Sequence, residues 1–164
     1  MPSTPIRSFW LLVVVFALLP VAQAAAPLVD ARLTVALVQN NGQFETSGAA
    51  SNAKPGDVLE YAAQYANRGD APAQALMPTM PIPVGTEYLP SDREPRPTQA
   101  SIDGVRWGSI PLRRPVRAPD GTVREEEVPL REYRALRWSV GTLAPGSQVT
   151  VRARVRVAPI VTAG

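Results

Sequence analysis

The chain has 164 residues, a formal net charge of +3 and a sequence pI of about 9.8, and it contains neither cysteine nor histidine. That composition removes thiolate nucleophiles, imidazole bases, the Ser-His-Asp triad and ordinary zinc or copper-imidazole centres, and it leaves no disulfide to hold the fold. Its charges are interspersed, and every base except Lys54 is arginine, so the basic pI marks no nucleic-acid-binding stripe.

Residues 1–24 read as an export signal: Arg7 supplies the positive start, Leu11 to Leu19 the apolar run, and Ala22-Gln23-Ala24 the small-x-small cleavage site. A retained membrane anchor is the alternative, because apolar residues continue to Val29 and a spanning helix needs about 20 of them. Pro20 and Gln23 favour cleavage after Ala24. The 140 residues that follow suit one domain, and losing Arg7 lowers the net charge to +2. Residues 25–30 are expected to be a flexible lead-in, 31–158 the folded domain and 159–164 a tail. The product belongs in the periplasm or outside the cell, with no membrane span once the signal is removed.

The mature part reads as β throughout. Its prolines and glycines come too often for long helices, and apolar residues recur with period two. Leu33, Val35 and Leu37 form one face of an opening strand that ends at Asn40-Asn41-Gly42. Lys54-Pro55-Gly56-Asp57 is a turn that feeds a strand from Val58 to Asn67, with Leu59, Tyr61, Ala63 and Tyr65 toward the core and Glu60 and Gln64 toward water. Shorter strands are expected near Thr86–Leu89 and Gln99–Ile102. Leu136, Trp138 and Val140 share a buried face, with Trp138 as a core anchor. Gly141-Thr142-Leu143-Ala144-Pro145-Gly146 then turns into the clearest strand, Val149 to Val157, where Arg152, Arg154 and Arg156 occupy a solvent face. The count of segments is seven or eight strands, which is what an immunoglobulin-like antiparallel β-sandwich uses.

Residues 105–133 form an elaboration of that plan. Pro119-Asp120-Gly121-Thr122 is a turn whose flanks pair as a hairpin. Centred between Asp120 and Gly121, the pairing sets Arg114 opposite Glu127 and Arg117 opposite Arg124. Pro111, Pro115 and Pro129 confine the hairpin to a sheet edge. It serves either as a self-neutralised edge or as a partner-binding surface. Trp107 is the tryptophan of this stretch, and it covers the sandwich edge or offers a platform for a sugar. With Arg113, Arg114 and Arg117 it makes up the candidate partner-binding set.

Three chemical motifs compete with this reading. Ser51-Asn52-Ala53-Lys54 matches Ser-x-x-Lys but runs straight into Pro55-Gly56 and lacks the companion motifs of serine acyl-enzymes. Met77 and Met80 have the spacing of soft copper sites without a third thioether. Asp92 with Glu94, or the run Glu125-Glu126-Glu127, offers oxygen ligands for calcium without a spaced loop. The expectation is therefore no catalytic residue, no metal and no cofactor.

The order Pro55-Gly56-Asp57, Tyr61, Asn67, Gly69-Asp70-Ala71-Pro72-Ala73, Pro83-Val84-Gly85-Thr86-Glu87-Tyr88, Ala100-Ser101-Ile102-Asp103-Gly104, Trp138 and Gly141-Thr142-Leu143-Ala144-Pro145-Gly146 resembles the bacterial family called domain of unknown function eleven. This is the conserved-repeat, immunoglobulin-like domain of secreted and surface proteins, and the resemblance runs from about Ala31 to Val157. It implies a non-enzymatic extracytoplasmic sandwich that acts as a spacer, adhesive or assembly module. This chain departs from the family in holding one copy, in carrying Thr79-Met80-Pro81-Ile82-Pro83 where the family commonly has an acid before its turn, and in the length of 105–133. The expected role is an interaction or assembly module of the cell envelope whose partner is another envelope protein. The alternatives are a carbohydrate or anionic-glycan binder and a copper- or calcium-binding protein.

Overall fold

Two proline-glycine turns brace opposite ends of one pair of long strands. The computed structural model describes residues 26–38, 44–46 and 50–159, and in it β3 (Val58–Asn67) and β13 (Gln148–Val157) pair antiparallel from Val58↔Arg156 to Ala66↔Gln148. The turn at 54–57 leads into β3 while Gly56 N–H donates to the Val157 carbonyl at 2.9 Å, and Val157 N–H donates to Asp57. The turn at 144–147 leads into β13 while Gly146 N–H donates to the Asn67 carbonyl at 2.8 Å, and Asn67 N–H donates to Ser147. Each turn thus opens one strand and locks the end of the other. Gly56 and Gly146 sit at φ +92° and +71° behind prolines, where a side chain would strain the turn.

Around that pair the main sheet runs β2-β1-β3-β13-β6, with β1 (Val29–Val38), β2 (Phe44–Thr46) and β6 (Thr86–Leu89). A second layer is made of β5 (Thr79–Pro81), β11 (Ala135–Arg137), β7 (Gln99–Ser101) and β8 (Gly108–Ser109), and β4 (Ala73–Leu76) pairs with β12 (Gly141–Leu143). The fold is all-β and antiparallel, and it fits a sandwich. Leu59, Ala63, Val151, Ala153 and Val155 of the main sheet meet Met80, Ala100 and Leu136 of the second layer, together with Trp138, in one core. Thirteen strands are described, against the seven or eight expected. The surplus is five short strands of two to four residues, β2, β4, β5, β8 and β12, which are too short to show a period of two.

Trp138 is the anchor that its position in the alternating pattern requires. It is wholly buried, its indole N–H donates to the Pro95 carbonyl at 3.0 Å, and its backbone N–H donates to Pro78. Asn67, 1% exposed, is the other hub. Its amide donates to the carbonyls of Ala71 and Leu143 at 2.8 and 2.9 Å, and its side-chain oxygen accepts from the N–H groups of Gly69 and Leu28. One side chain therefore ties together the start of β1, the turn after β3 and the end of β12.

Several expectations need correction. The first strand begins at Val29, inside the segment 25–30 expected as a lead-in to a domain at 31–158, and the residues before it are docked: Arg68 N–H donates to the Leu28 carbonyl, and a Cβ on Gly69 would run into the backbone of Ala26 to Leu28. Leu33 is 58% exposed, unlike Val35 and Leu37, which pack against the core. Glu60 does not face water: at 6% exposure it receives Arg154 at 2.8 Å, with Arg93 at 3.7 Å and Arg152 at 3.9 Å. Periodicity assigns a residue to a face, but whether that face is wet depends on what lies over it, and here arginine side chains do. Arg152 and Arg154 are accordingly half-buried, and only Arg156 stands in solvent. The signal segment, the turn at 40–42 and residues 160–164 lie outside the described residues. Among those described, no helix is long and apolar enough to cross a membrane.

Candidate functional site

The elaboration at 105–133 is built outward from Tyr133. This side chain is buried, stacks on Tyr88 with ring centroids 6.1 Å apart, and accepts a 2.8 Å hydrogen bond from Leu112 N–H. Val128 N–H donates to the Leu112 carbonyl, also at 2.8 Å, so the two arms are clamped at their base. Beyond the clamp, β9 (Arg113–Arg117) and β10 (Val123–Glu127) pair only with each other among the described residues. The hairpin is a free-standing ribbon, not an edge strand of a larger sheet.

Its register differs by one residue from the expected one. Arg113 faces Glu127, Arg114 faces Glu126, and Arg117 faces Val123 instead of Arg124. The cause is the turn: Gly121 N–H donates to Ala118 and Ala118 N–H donates to Thr122, which makes a three-residue loop of Pro119-Asp120-Gly121 with Gly121 at φ +84°. An odd loop centres the pairing on Asp120 itself. The Asp120 carboxylate accepts from the hydroxyl and the N–H of Thr122, and these bonds hold it below the usual carboxylate range.

An open cleft of about 400 Å³ lies where the hairpin base meets the second layer. Ile102, Leu112 and Val128 are its apolar lining, and Asp103, Arg106, Trp107, Arg113 and Arg114 are its polar and aromatic margin. Three of the four candidate residues, Trp107, Arg113 and Arg114, are thus brought together. Arg117 is not: it lies four residues further along β9, about 13 Å away at strand spacing. One face of the Trp107 ring is covered by Arg137, whose guanidinium carbon lies 3.7 Å from the ring centroid. The indole both braces the edge of the second layer and borders the cleft.

The margin is electrically closed. Arg113 pairs with Glu127 at 3.4 Å, Arg114 with Glu132 at 2.6 Å, and Arg106 with Asp103 at 2.8 Å. Asp103 is the residue that sequence reasoning missed. Its carboxylate accepts the N–H groups of Arg106 and Val105, both at 2.8 Å, the Arg106 guanidinium, and the Ser101 hydroxyl, and the Arg106 N–H leads these bonds in holding its pKa far below the carboxylate range. The Ser-x-Asp-Gly sequence at 101–104 was the available signal, because serine and aspartate side chains that cap their own turn favour this spacing.

The other chemical candidates are scattered. Met80 is buried in the core and Met77 is exposed. Asp92 and Glu94 both pair with Arg96. Ser51 lies in an exposed 3₁₀ turn (Ala50–Asn52) ahead of the proline-glycine turn that holds Lys54. Among the described residues no three acidic side chains gather as metal ligands would. No family model, curated protein or solved structure matches the chain.

Proposed function

We propose that the protein is a non-enzymatic, exported interaction module of the cell envelope, related to the immunoglobulin-like conserved-repeat sandwiches, and that it receives a segment of a partner envelope protein at the Trp107 cleft. The observation that carries this reading is the composition of the cleft: an apolar floor of Ile102, Leu112 and Val128 inside a margin whose arginines already have carboxylate partners. Apolar contact ringed by satisfied polar groups is the anatomy of a protein-binding patch. An anionic glycan would need uncompensated cations, and it would have to displace three ion pairs to obtain them. The clamp through Tyr133 supports the reading further, because a base held rigid loses little entropy when a partner docks.

The test is site-specific photo-crosslinking in intact cells from positions 112 and 113, with position 117 as the control outside the cleft. A discrete protein adduct formed from the first two positions and lost on Val128→Glu is the expected result. Binding to an isolated envelope polysaccharide that disappears in a folded Trp107→Ala variant would replace this reading with the glycan one.

A further inference from the structure

The outer edge of β1 is the second place where the molecule is unfinished. β2 pairs only with Ala36–Val38, so the edge from Val29 to Val35 has no strand partner among the described residues. The Leu28 carbonyl accepts Arg68 N–H on the β3 side, so by the alternation of an antiparallel strand Val29, Ala31, Leu33 and Val35 turn their own N–H and C=O groups outward. The same odd residues lie on the core face, where Leu33 is left largely exposed. An open ladder flanked by an exposed leucine is the kind of edge that proteins ordinarily guard.

We infer that this edge pairs with β1 of a second copy of the chain, antiparallel about a twofold axis through Ala31. That register matches on three counts. It joins Val29 to Leu33 of the other copy, and Leu33 to Val29, as hydrogen-bonded pairs, so every outward donor from 29 to 33 meets an outward acceptor. It continues the apolar face across the axis and covers Leu33. It also sets Asp30 opposite Arg32 twice, as non-hydrogen-bonded pairs, in which side chains approach most closely. Arg32 has no acidic partner among the described residues, and Asp30, already bonded to Arg68, would bridge two guanidinium groups. The neighbouring register, centred on Arg32, would put arginine against arginine. Pro27 at one end, lacking an N–H, and β2 at the other limit the ladder to this stretch, so the pairing closes at two copies instead of propagating. This inference is independent of the Trp107 cleft, since no residue is shared.

The test uses the full gene product, purified in the form the cell exports. Sedimentation velocity is expected to show a concentration-dependent dimer. Arg32→Asp, which sets aspartate against aspartate, weakens it by about tenfold or more, and Asp30→Arg does the same. An equimolar mixture of these two variants restores the dimer, because every cross-strand pair then has opposite signs. Since the chain has no cysteine, Ala31→Cys adds one thiol per copy on the axis, and mild oxidation is expected to link it while Arg117→Cys stays unlinked. A monomer throughout the micromolar range overturns the inference. So does a dimer that Arg32→Asp leaves unchanged, or equal linking of both cysteine variants. Strong hydrogen-exchange protection of the Val29, Ala31 and Leu33 amides in a monomer would also overturn it, by showing another segment on that edge.

Discussion

The β3–β13 pair and the β9–β10 hairpin are both antiparallel ribbons closed by proline-glycine chemistry, yet they are held by different forces. β3 and β13 are joined across 80 to 100 residues of chain, bury Val151 and Val155 almost completely, and end in turns that hydrogen-bond to one another's strands. β9 and β10 are joined by a three-residue loop, every residue of β10 is exposed, and what crosses between them is a ladder plus the surface ion pair of Arg113 with Glu127. The first ribbon is therefore a stability element and the second a surface one. A region that costs little to alter is where binding specificity is easiest to place.

Trp138→Ala should test that contrast most severely. A fully buried tryptophan replaced by alanine costs about 3–5 kcal/mol, and at this chain length each kcal/mol is about 2–4 °C of melting temperature. A fall in the calorimetric melting point of less than a few degrees would show that the core does not depend on this side chain. Asn67→Ala comes next. It leaves two carbonyls and two N–H groups without their side-chain partner, for a loss of about 2–4 kcal/mol, and hydrogen exchange should quicken at Leu28 and Gly69 together. Glu60→Ala strips the counter-charge from Arg152 and Arg154, and because those guanidinium groups keep some access to water the loss in a denaturant titration should be about 1–2 kcal/mol.

Changes in the hairpin should be mild by comparison. Gly121→Ala forces a side chain to φ +84° and should cost about 1 kcal/mol, with the melting point otherwise preserved. Arg113→Ala removes one exposed ion pair and should shift stability by about 0–1 kcal/mol. A hairpin substitution as damaging as Trp138→Ala would erase the distinction between the two ribbons.

The pH response sharpens it further. With no histidine, stability should be nearly flat from about pH 5 to 9. Asp103 is held below the ordinary carboxylate range, so its contribution is complete above about pH 4 and is lost only in stronger acid, where the 101–106 turn should loosen. Tyr88 is pushed up by burial, then by Tyr133. Its contribution is present below about pH 10 and is lost as pH rises beyond it, so alkaline unfolding should report on the core and acid loosening on the cleft margin. Backbone-resolved NMR across both limits separates the two.

Much of this was determined locally. The proline-glycine turns, the alternation of β13, the assignment of Trp138 to the core face and the existence of the hairpin all follow from patterns within a few residues, because turn dihedrals and strand periodicity are short-range properties of the chain. What needed tertiary structure was everything that depends on a distant neighbour. The sequence places Glu60 on the outer face, but only Arg93, Arg152 and Arg154 make that face closed. Leu33 alternates like a core residue, yet nothing in the second layer covers it. The hairpin ladder turned on whether its loop held two residues or three, a difference of one hydrogen bond that shifts every pair, and the gathering of Trp107, Arg113 and Arg114 beside Asp103 required the Tyr133 clamp to fold the elaboration back on itself. Period and turn chemistry are written residue by residue, whereas burial and juxtaposition belong to pairs of segments far apart in the chain.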